Sequence, residues 1–222
     1  MTTTAAPSAP VCPRCHKVPP LCVCTGIVPL DNRIGVLIIQ HPQEQDVDLG
    51  TAHLTALHFR NAAVRVGLSW PSLAKALGRP ADPKHWGTLY LGSVKPASLL
   101  PGQDVIALTR KGAAHPDQRG QLAGLEGVIL LDGTWSQAKA LWWRNPWLIK
   151  TTRIVLGPHR PSRYGKLRRE ARREAISTLE ATALLLSKLE NRPEIADALH
   201  AGFDKLLDRY REREKATRTS VG

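Results

Sequence analysis

The residues best placed for chemistry lie in the run Leu130-Leu131-Asp132-Gly133-Thr134-Trp135-Ser136-Gln137-Ala138. Gly127-Val128-Ile129-Leu130-Leu131 is apolar and partly β-branched, as expected for a strand covered on both faces. Asp132 arrives where the apolar run stops. Gly133 permits a sharp turn, and Ser136-Gln137-Ala138-Lys139-Ala140-Leu141 starts a helical pattern. In open α/β sheets ligands bind beyond the carboxyl ends of strands, so this is where a catalytic carboxylate belongs. The same residues also describe an Asp/Thr helix cap beside a packed Trp, and local pattern alone leaves both readings open.

A second chemical group is the cysteines. All four fall between Cys12 and Cys24, in the order Cys-x2-Cys-x6-Cys-x-Cys. In a reducing compartment two disulfides are disfavoured. Four thiolates this close in sequence can surround one tetrahedral zinc, giving a closed structural site at Cys12, Cys15, Cys22 and Cys24 with no open position for substrate. Pro19-Pro20 and Gly26 supply bends. The alternative is free or redox-active thiols. His16 could replace one cysteine but is expected to be exposed.

A third group is positive charge. The chain carries 31 basic and 19 acidic residues, a net +12. That balance points to a polyanionic partner, RNA or DNA first. Arg160 to Arg173 holds seven basic residues against Glu170 alone, with Arg153 and His159 just before it. Arg160, Arg163, Lys166, Arg168 and Arg169 can neutralise phosphates, and Tyr164 within the cluster can stack on an unpaired base. Trp142, Trp143 and Trp147 form another candidate stacking platform, with at least one side expected in the core.

Several common sites are missing. No Gly-x-Gly-x-x-Gly follows a strand, and there is no Walker loop and no nucleophile elbow. His41 and Glu44 are one turn apart, a weak metal pattern whose ordinary role is loop hydrogen bonding.

The elements that must position these residues alternate between strand and helix signals, which predicts an α/β fold. Strands are read at Ile34–Ile39, Thr88–Leu91, Val105–Leu108, Val128–Leu131 and Arg153–Leu156. Leu49, Ala52, Leu54 and Leu57 suit the core side of a helix, and Leu68 to Leu77 carries a short helical stretch after Trp70-Pro71. The C-terminal part reads as two helices, broken between Lys188 and Pro193, with the second running from about Glu194 through Tyr210. No segment approaches transmembrane length. Met1 to Pro10 lacks the basic start and apolar core of a secretory signal and reads as a disordered tail, so a cytoplasmic location is expected.

Asp132, Thr134 and Trp135 resemble the name-giving motif of the DTW-domain proteins, which are tRNA-uridine aminocarboxypropyltransferases. Four more features agree in a consistent order along most of the chain. They are the cysteine cluster, His41-Pro-Gln-Glu44 after a strand, the basic Pro161-Ser-Arg-Tyr-Gly-Lys-Leu-Arg168 and the late Ser177-Thr178-Leu179-Glu180-Ala181. The resemblance implies a SPOUT-like, mostly parallel α/β sheet with a C-terminal trefoil knot. It divides the chain into a tail at 1–10, a zinc-binding arm at 11–27 and a catalytic domain at 28–222.

It also implies S-adenosylmethionine as donor of a 3-amino-3-carboxypropyl group, tRNA as acceptor at a variable-loop uridine, and no obligate protein partner. Asp132 would be the base or orienting group, Thr134 would bond the donor and Trp135 would shape its pocket. Leu91, Gly92, Ser93, Leu131, Gly133, Ser177, Thr178 and Glu180 would line the donor site, with Glu180 either on the donor's amino group or a structural partner. Two other functions fit the same residues: an S-adenosylmethionine-dependent RNA methyltransferase, and a non-catalytic zinc-containing RNA-binding protein.

Overall fold

The structure, a computed structural model, describes residues 11–90, 92, 102–157, 161–165, 167 and 176–219. In chain order these form β1 (Gly35–Gln40), α1 (Ala52–Leu57), β2 (Ala62–Val66), α2 (Leu73–Leu77), β3 (Trp86–Leu89), β4 (Val105–Leu108) and α3 (Gln118–Ala123). There follow β5 (Gly127–Asp132), α4 (Trp135–Arg144), β6 (Thr152–Leu156), α5 (Thr178–Leu189) and α6 (Pro193–Thr219).

The two most apolar runs, β1 and β5, pair in parallel at the centre of the sheet, with Gly35 opposite Gly127 and Gln40 opposite Asp132. The full order is β2-β1-β5-β3-β6-β4, with every neighbouring pair parallel except the antiparallel β4–β6 edge. The chain thus forms the mixed α/β fold with a mostly parallel sheet that its sequence predicts. A C-terminal knot depends on the path of residues 158–175, most of which lie outside the described residues.

Two strand expectations need correction. β2 has no counterpart among the strands read from sequence. Ala62-Ala63-Val64-Arg65-Val66 has neither a sustained apolar run nor alternation, because this edge strand is only half-covered. β3 starts at Trp86, two residues before the expected Thr88. The buried Trp86 indole lies across Gly127 of the adjacent β5 and its partner Gly35 on β1, the next strand over. A Cβ on Gly127 would come within 2.4 Å of its Cη2, and one on Gly35 within 3.2 Å. Trp86 thus fills space that only glycine leaves open, and this packing starts the strand early.

Residues of alternating parity feed two cores. Val36, Ile38, Val128, Leu130 and Ile154 join Leu179, Leu185, Leu186, Ile195, Leu199 and Phe203 of α5 and α6. Leu37, Ile39, Trp86 and Ile129 join Leu73, Leu141, Trp147 and Leu148 on the opposite face. Leu21 and Val23, from the cysteine segment, are buried in the first of these cores. α6 is longer than expected and continues through the charged segment to Thr219. No helix among the described residues is long and apolar enough to cross a membrane.

Candidate active site and metal-binding cluster

The parallel pairing of β1 and β5 brings Gln40 and Asp132 together, each the polar residue that ends a buried strand. Gln40 Nε2 donates to Asp132 Oδ2 at 2.9 Å, and Thr178 Oγ1 donates to Asp132 Oδ1 in a very short hydrogen bond. An ionised carboxylate only accepts, so the amide nitrogen of Gln40 must be the end that faces it. Asp132 is 7% exposed and Gln40 2%. Three chain segments therefore converge on one buried carboxylate: the ends of β1 and β5 and the start of α5. Each carboxylate oxygen keeps acceptor capacity beyond the one bond it receives.

Around this point the turns are tightly tied. Thr134 caps α4 in a reciprocal box with Gln137, whose Oε1 accepts from Thr134 N at 2.6 Å. Gln137 Nε2 reaches Gln43 Oε1 at 3.1 Å, joining the α4 start to the Pro42–Glu44 turn. A Cβ on Gly133 would meet Gln137 Cβ at 2.8 Å and His41 Cβ at 3.4 Å, so only glycine fits this crossing. His41 caps its own turn through Nδ1, which accepts from Gln43 N at 3.3 Å, and its backbone N–H donates to Asp132 O. Among the described residues the group able to hold a metal is the cysteine cluster, which does not include His41 or Glu44. Thr134 is exposed, Trp135 and Leu131 half-buried.

The start of α5 has a second function. Ser177 and Glu180 form a capping box, and the same Glu180 carboxylate accepts from Ser162 Oγ and Arg163 N, both at 2.7 Å. With Ser177 N and Ser177 Oγ also donating, Glu180 ties the basic loop to the helix instead of presenting a free carboxylate. Replacing Glu180 with Ala leaves buried N–H groups unpaired, each costing roughly 1–3 kcal/mol. We expect a loss of about 3 kcal/mol, or a melting temperature lower by roughly 6–12 °C. A thermal melt indistinguishable from wild type would remove this role.

Tyr164 is corrected. It is 2% exposed, its hydroxyl donates to Leu49 O at 2.7 Å and its ring meets Phe203 edge-on at 5.0 Å. An aromatic packed on both ends cannot stack on a nucleobase; it anchors the basic loop to the core. Arg163 Nη1 pairs with the Asp204 carboxylate on α6 at 2.8 Å and remains partly exposed. Arg160, Lys166, Arg168 and Arg169 lie outside the described residues, as do Leu91 and Ser93.

The three tryptophans of the α4 region separate. Trp147 is buried and its Nε1 donates to Trp70 O at 2.9 Å. Trp142 stacks on Tyr90, centroids 4.4 Å apart and planes 9° apart. Trp143 is 70% exposed. Sequence reasoning missed Gln40 and Tyr90. Gln40 carries the same signal as Asp132, a polar residue closing an apolar strand.

In the N-terminal arm the four cysteine sulfurs lie within 4.8 Å of one another, Cys12 and Cys24 at 3.7 Å, and none is in a disulfide. Backbone N–H groups of Cys15 and Arg14 pull the Cys12 thiol down to about 6, whereas burial pushes Cys15 and Cys24 up. Thiolates so close repel unless a cation sits among them, and that is the chemistry of a metal site. His16 is exposed, stands outside the cluster and stacks on His53 of α1 with centroids 3.9 Å apart. Lys17 Nζ donates to Val47 O at 2.6 Å. These contacts, with Leu21 and Val23, dock the arm on the sheet domain.

Three proteins named tRNA-uridine aminocarboxypropyltransferase 2 are similar to this chain. The one from Drosophila melanogaster is 28% identical over 192 residues, 85% of this chain and 70% of that protein. That from Macaca fascicularis is 27% identical over 201 residues, covering 86% and 60% of the two chains. That from Mus musculus is 29% identical over 197 residues, again 86% and 60%. The chain thus spans 60–70% of the length of these relatives. No solved structure matches it. The DTW domain is matched over residues 9–211, from just before the cysteine cluster into α6. With that match, and with Asp132, Thr134 and Trp135 at the carboxyl end of β5, the chain belongs to the DTW-domain family.

Proposed function

We propose that the protein transfers the 3-amino-3-carboxypropyl group of S-adenosylmethionine to N3 of a tRNA uridine, in the variable loop. The observation that carries this is Asp132, a buried carboxylate held by Gln40 and Thr178 at paired strand ends. The family membership and the relatives' names give the reaction class. In the reaction the N3–carbon bond forms as the carbon–sulfur bond breaks. The sulfur keeps the bonding pair and leaves as neutral methylthioadenosine, and the N3 proton goes to a base. The sulfonium is its own leaving group, so the enzyme's work is orientation and proton removal. Asp132 takes the proton or orients the acceptor, and the hydrogen bonds from Gln40 and Thr178 fix its rotamer. Thr134 and Trp135 shape the approach. Leu91, Gly92, Ser93, Leu131, Gly133, Ser177 and Thr178 bound the donor, in a SPOUT-like fold with a C-terminal trefoil knot.

The RNA face follows the charge. From Gly133 to Arg169 the chain has no acidic residue, and besides the half-buried Arg153 it carries Lys139, Arg144, Lys150, Arg160, Arg163, Lys166, Arg168 and Arg169. Trp143, exposed between Lys139 and Arg144, takes the stacking part first expected of Tyr164. Changing Arg168 and Arg169 together to Ala should weaken tRNA binding and flatten its salt dependence by about two phosphates' worth of counterions, with donor affinity unchanged. An unaltered tRNA affinity and salt slope would make these residues a solvated surface.

Zinc is the proposed metal of the arm. Four thiolates at about 2.3 Å from a tetrahedral ion lie about 3.8 Å apart, close to the 3.7 Å between Cys12 and Cys24. The site is structural, with Cys12, Cys15, Cys22 and Cys24 closing it.

The deciding experiment is mass analysis of tRNA nucleosides after incubation with the protein and S-adenosylmethionine. A uridine heavier by the aminocarboxypropyl group is expected. A methyl increment would make the enzyme a methyltransferase, and unmodified tRNA with no donor binding would leave an RNA-binding protein.

A further inference from the structure

Arg153 stands where a charged residue is costly. It lies on β6, opposite Thr88 of β3 and Leu108 of β4, in the body of the sheet. Its side chain is half-buried, and its Nε is buried with no hydrogen-bond partner. Among the described residues no carboxylate pairs with it. Burial holds its guanidinium below the ordinary value, offset only by the Tyr90 phenol. A guanidinium stays protonated at neutral pH, so this is a partly desolvated cation with no counter-charge among the described residues.

The side chain points toward the strand ends. A Cβ on Gly92 would lie 3.9 Å from Arg153 Nη1 and 3.4 Å from Tyr90 Cε1, so Gly92 lies close to both groups. Gly92 sits there at φ +58, in the left-handed region that tolerates glycine best. Leu89 is level with Leu130 of β5 and Ile154 of β6. β3 thus ends one strand away from β5, the strand that Asp132 closes. Trp142 of α4 stacks on Tyr90, whose phenol lies near the guanidinium.

A planar fork of N–H donors in a poorly solvated gap is the preferred partner of a carboxylate. We propose that Arg153 binds the carboxylate of the donor's 3-amino-3-carboxypropyl arm, with Tyr90 and Trp142 as the aromatic wall and Gly92 beside them. This rests on the donor reading above. It gives the arm a fixed end away from the reacting carbon. An RNA phosphate is the other anion available, but the Nε it would have to reach is buried.

The test uses two ligands that differ in the arm: S-adenosylmethionine, and methylthioadenosine, which lacks both carboxylate and ammonium. Affinities for both, and for tRNA, are measured by calorimetry on the intact wild-type protein, Arg153→Gln and Arg153→Lys. Arg153→Gln should lose roughly 10- to 100-fold in S-adenosylmethionine affinity, the range of a charge-assisted hydrogen bond. Its methylthioadenosine affinity should stay essentially unchanged. Its melting temperature without ligand should be unchanged or raised, since a half-buried cation with no carboxylate partner among the described residues has been removed. Arg153→Lys keeps the charge and loses the fork, so it should show a smaller loss confined to S-adenosylmethionine. Equal loss of both ligands would make Arg153 a structural residue, and unchanged S-adenosylmethionine affinity would overturn the proposal. Loss of tRNA affinity alone would assign the guanidinium to RNA phosphate, against the proposal. A wild-type protein that binds neither small ligand would take down the donor reading itself, a result distinct from all of these.

Discussion

Asp132→Asn is expected to lower aminocarboxypropyl transfer by about 10²- to 10⁴-fold, the usual contribution of a positioned general base. The fold should persist, for a reason visible in the hydrogen bonds. The substituted side-chain amide can keep its carbonyl oxygen on Gln40 Nε2, which can only donate. Its NH₂ group then faces Thr178 Oγ1, a hydroxyl that can rotate to accept. Both neighbours stay satisfied, so the stability cost is about 1 kcal/mol, the difference between a charged and a neutral acceptor. Donor affinity should fall little, because the change removes a charge and not a shape. Single-turnover transfer at saturating donor and tRNA separates chemistry from binding. A folded, donor-binding Asp132→Asn protein with near-normal turnover would take Asp132 out of the reaction.

Cys22→Ser should have a large effect on stability. Wild-type protein should carry about one zinc per chain, as a closed four-thiolate site requires. With one thiolate gone the metal content should fall well below that. The metal closes the loop from Cys12 to Cys24, and a cross-link over a loop of that size is worth about 3 kcal/mol. The effect should not stay local, because Leu21 and Val23 from inside this loop belong to the core shared with α5 and α6. Loosening the arm exposes them, so the whole domain should melt roughly 6–12 °C lower. A chelator should reproduce this in the wild type and do nothing further to Cys22→Ser. Metal-free wild-type protein that melts at the original temperature would sink the proposal.

Residue by residue, the legible and illegible parts divide along one physical line. The central strands are legible because burial on both faces forces an uninterrupted apolar run, and their ends are legible because a polar residue must wait until the sheet stops. β5 and Asp132 follow from this, as does the break between α5 and α6. β2 is hidden because an edge strand is under no such constraint. The start of β3 is hidden because it is set by Trp86 filling space above Gly35 and Gly127, which belong to two strands far apart in sequence.

Function divides the same way. Residue types and their spacing within short segments are sufficient to mark the cysteine cluster, the basic run and the Asp132 motif. These signals are local, since metal ligands, capping boxes and strand ends are written within a few residues. Which groups meet across the sheet is decided only by the tertiary structure. Parallel register puts Gln40 beside Asp132, and the return of the chain after β6 puts Thr178 on the other oxygen. The same return turns Glu180 from a candidate ligand for the donor into the clasp of the basic loop. An aromatic within a basic run looks like a stacking platform, yet the Tyr164 ring is taken by Phe203 and its hydroxyl by Leu49, while Trp143 is left at the surface. Sequence determined what chemistry each segment carries, because that depends on bonded neighbours. Exposure and partnership are set by contacts between residues far apart in the chain, and only packing decides those.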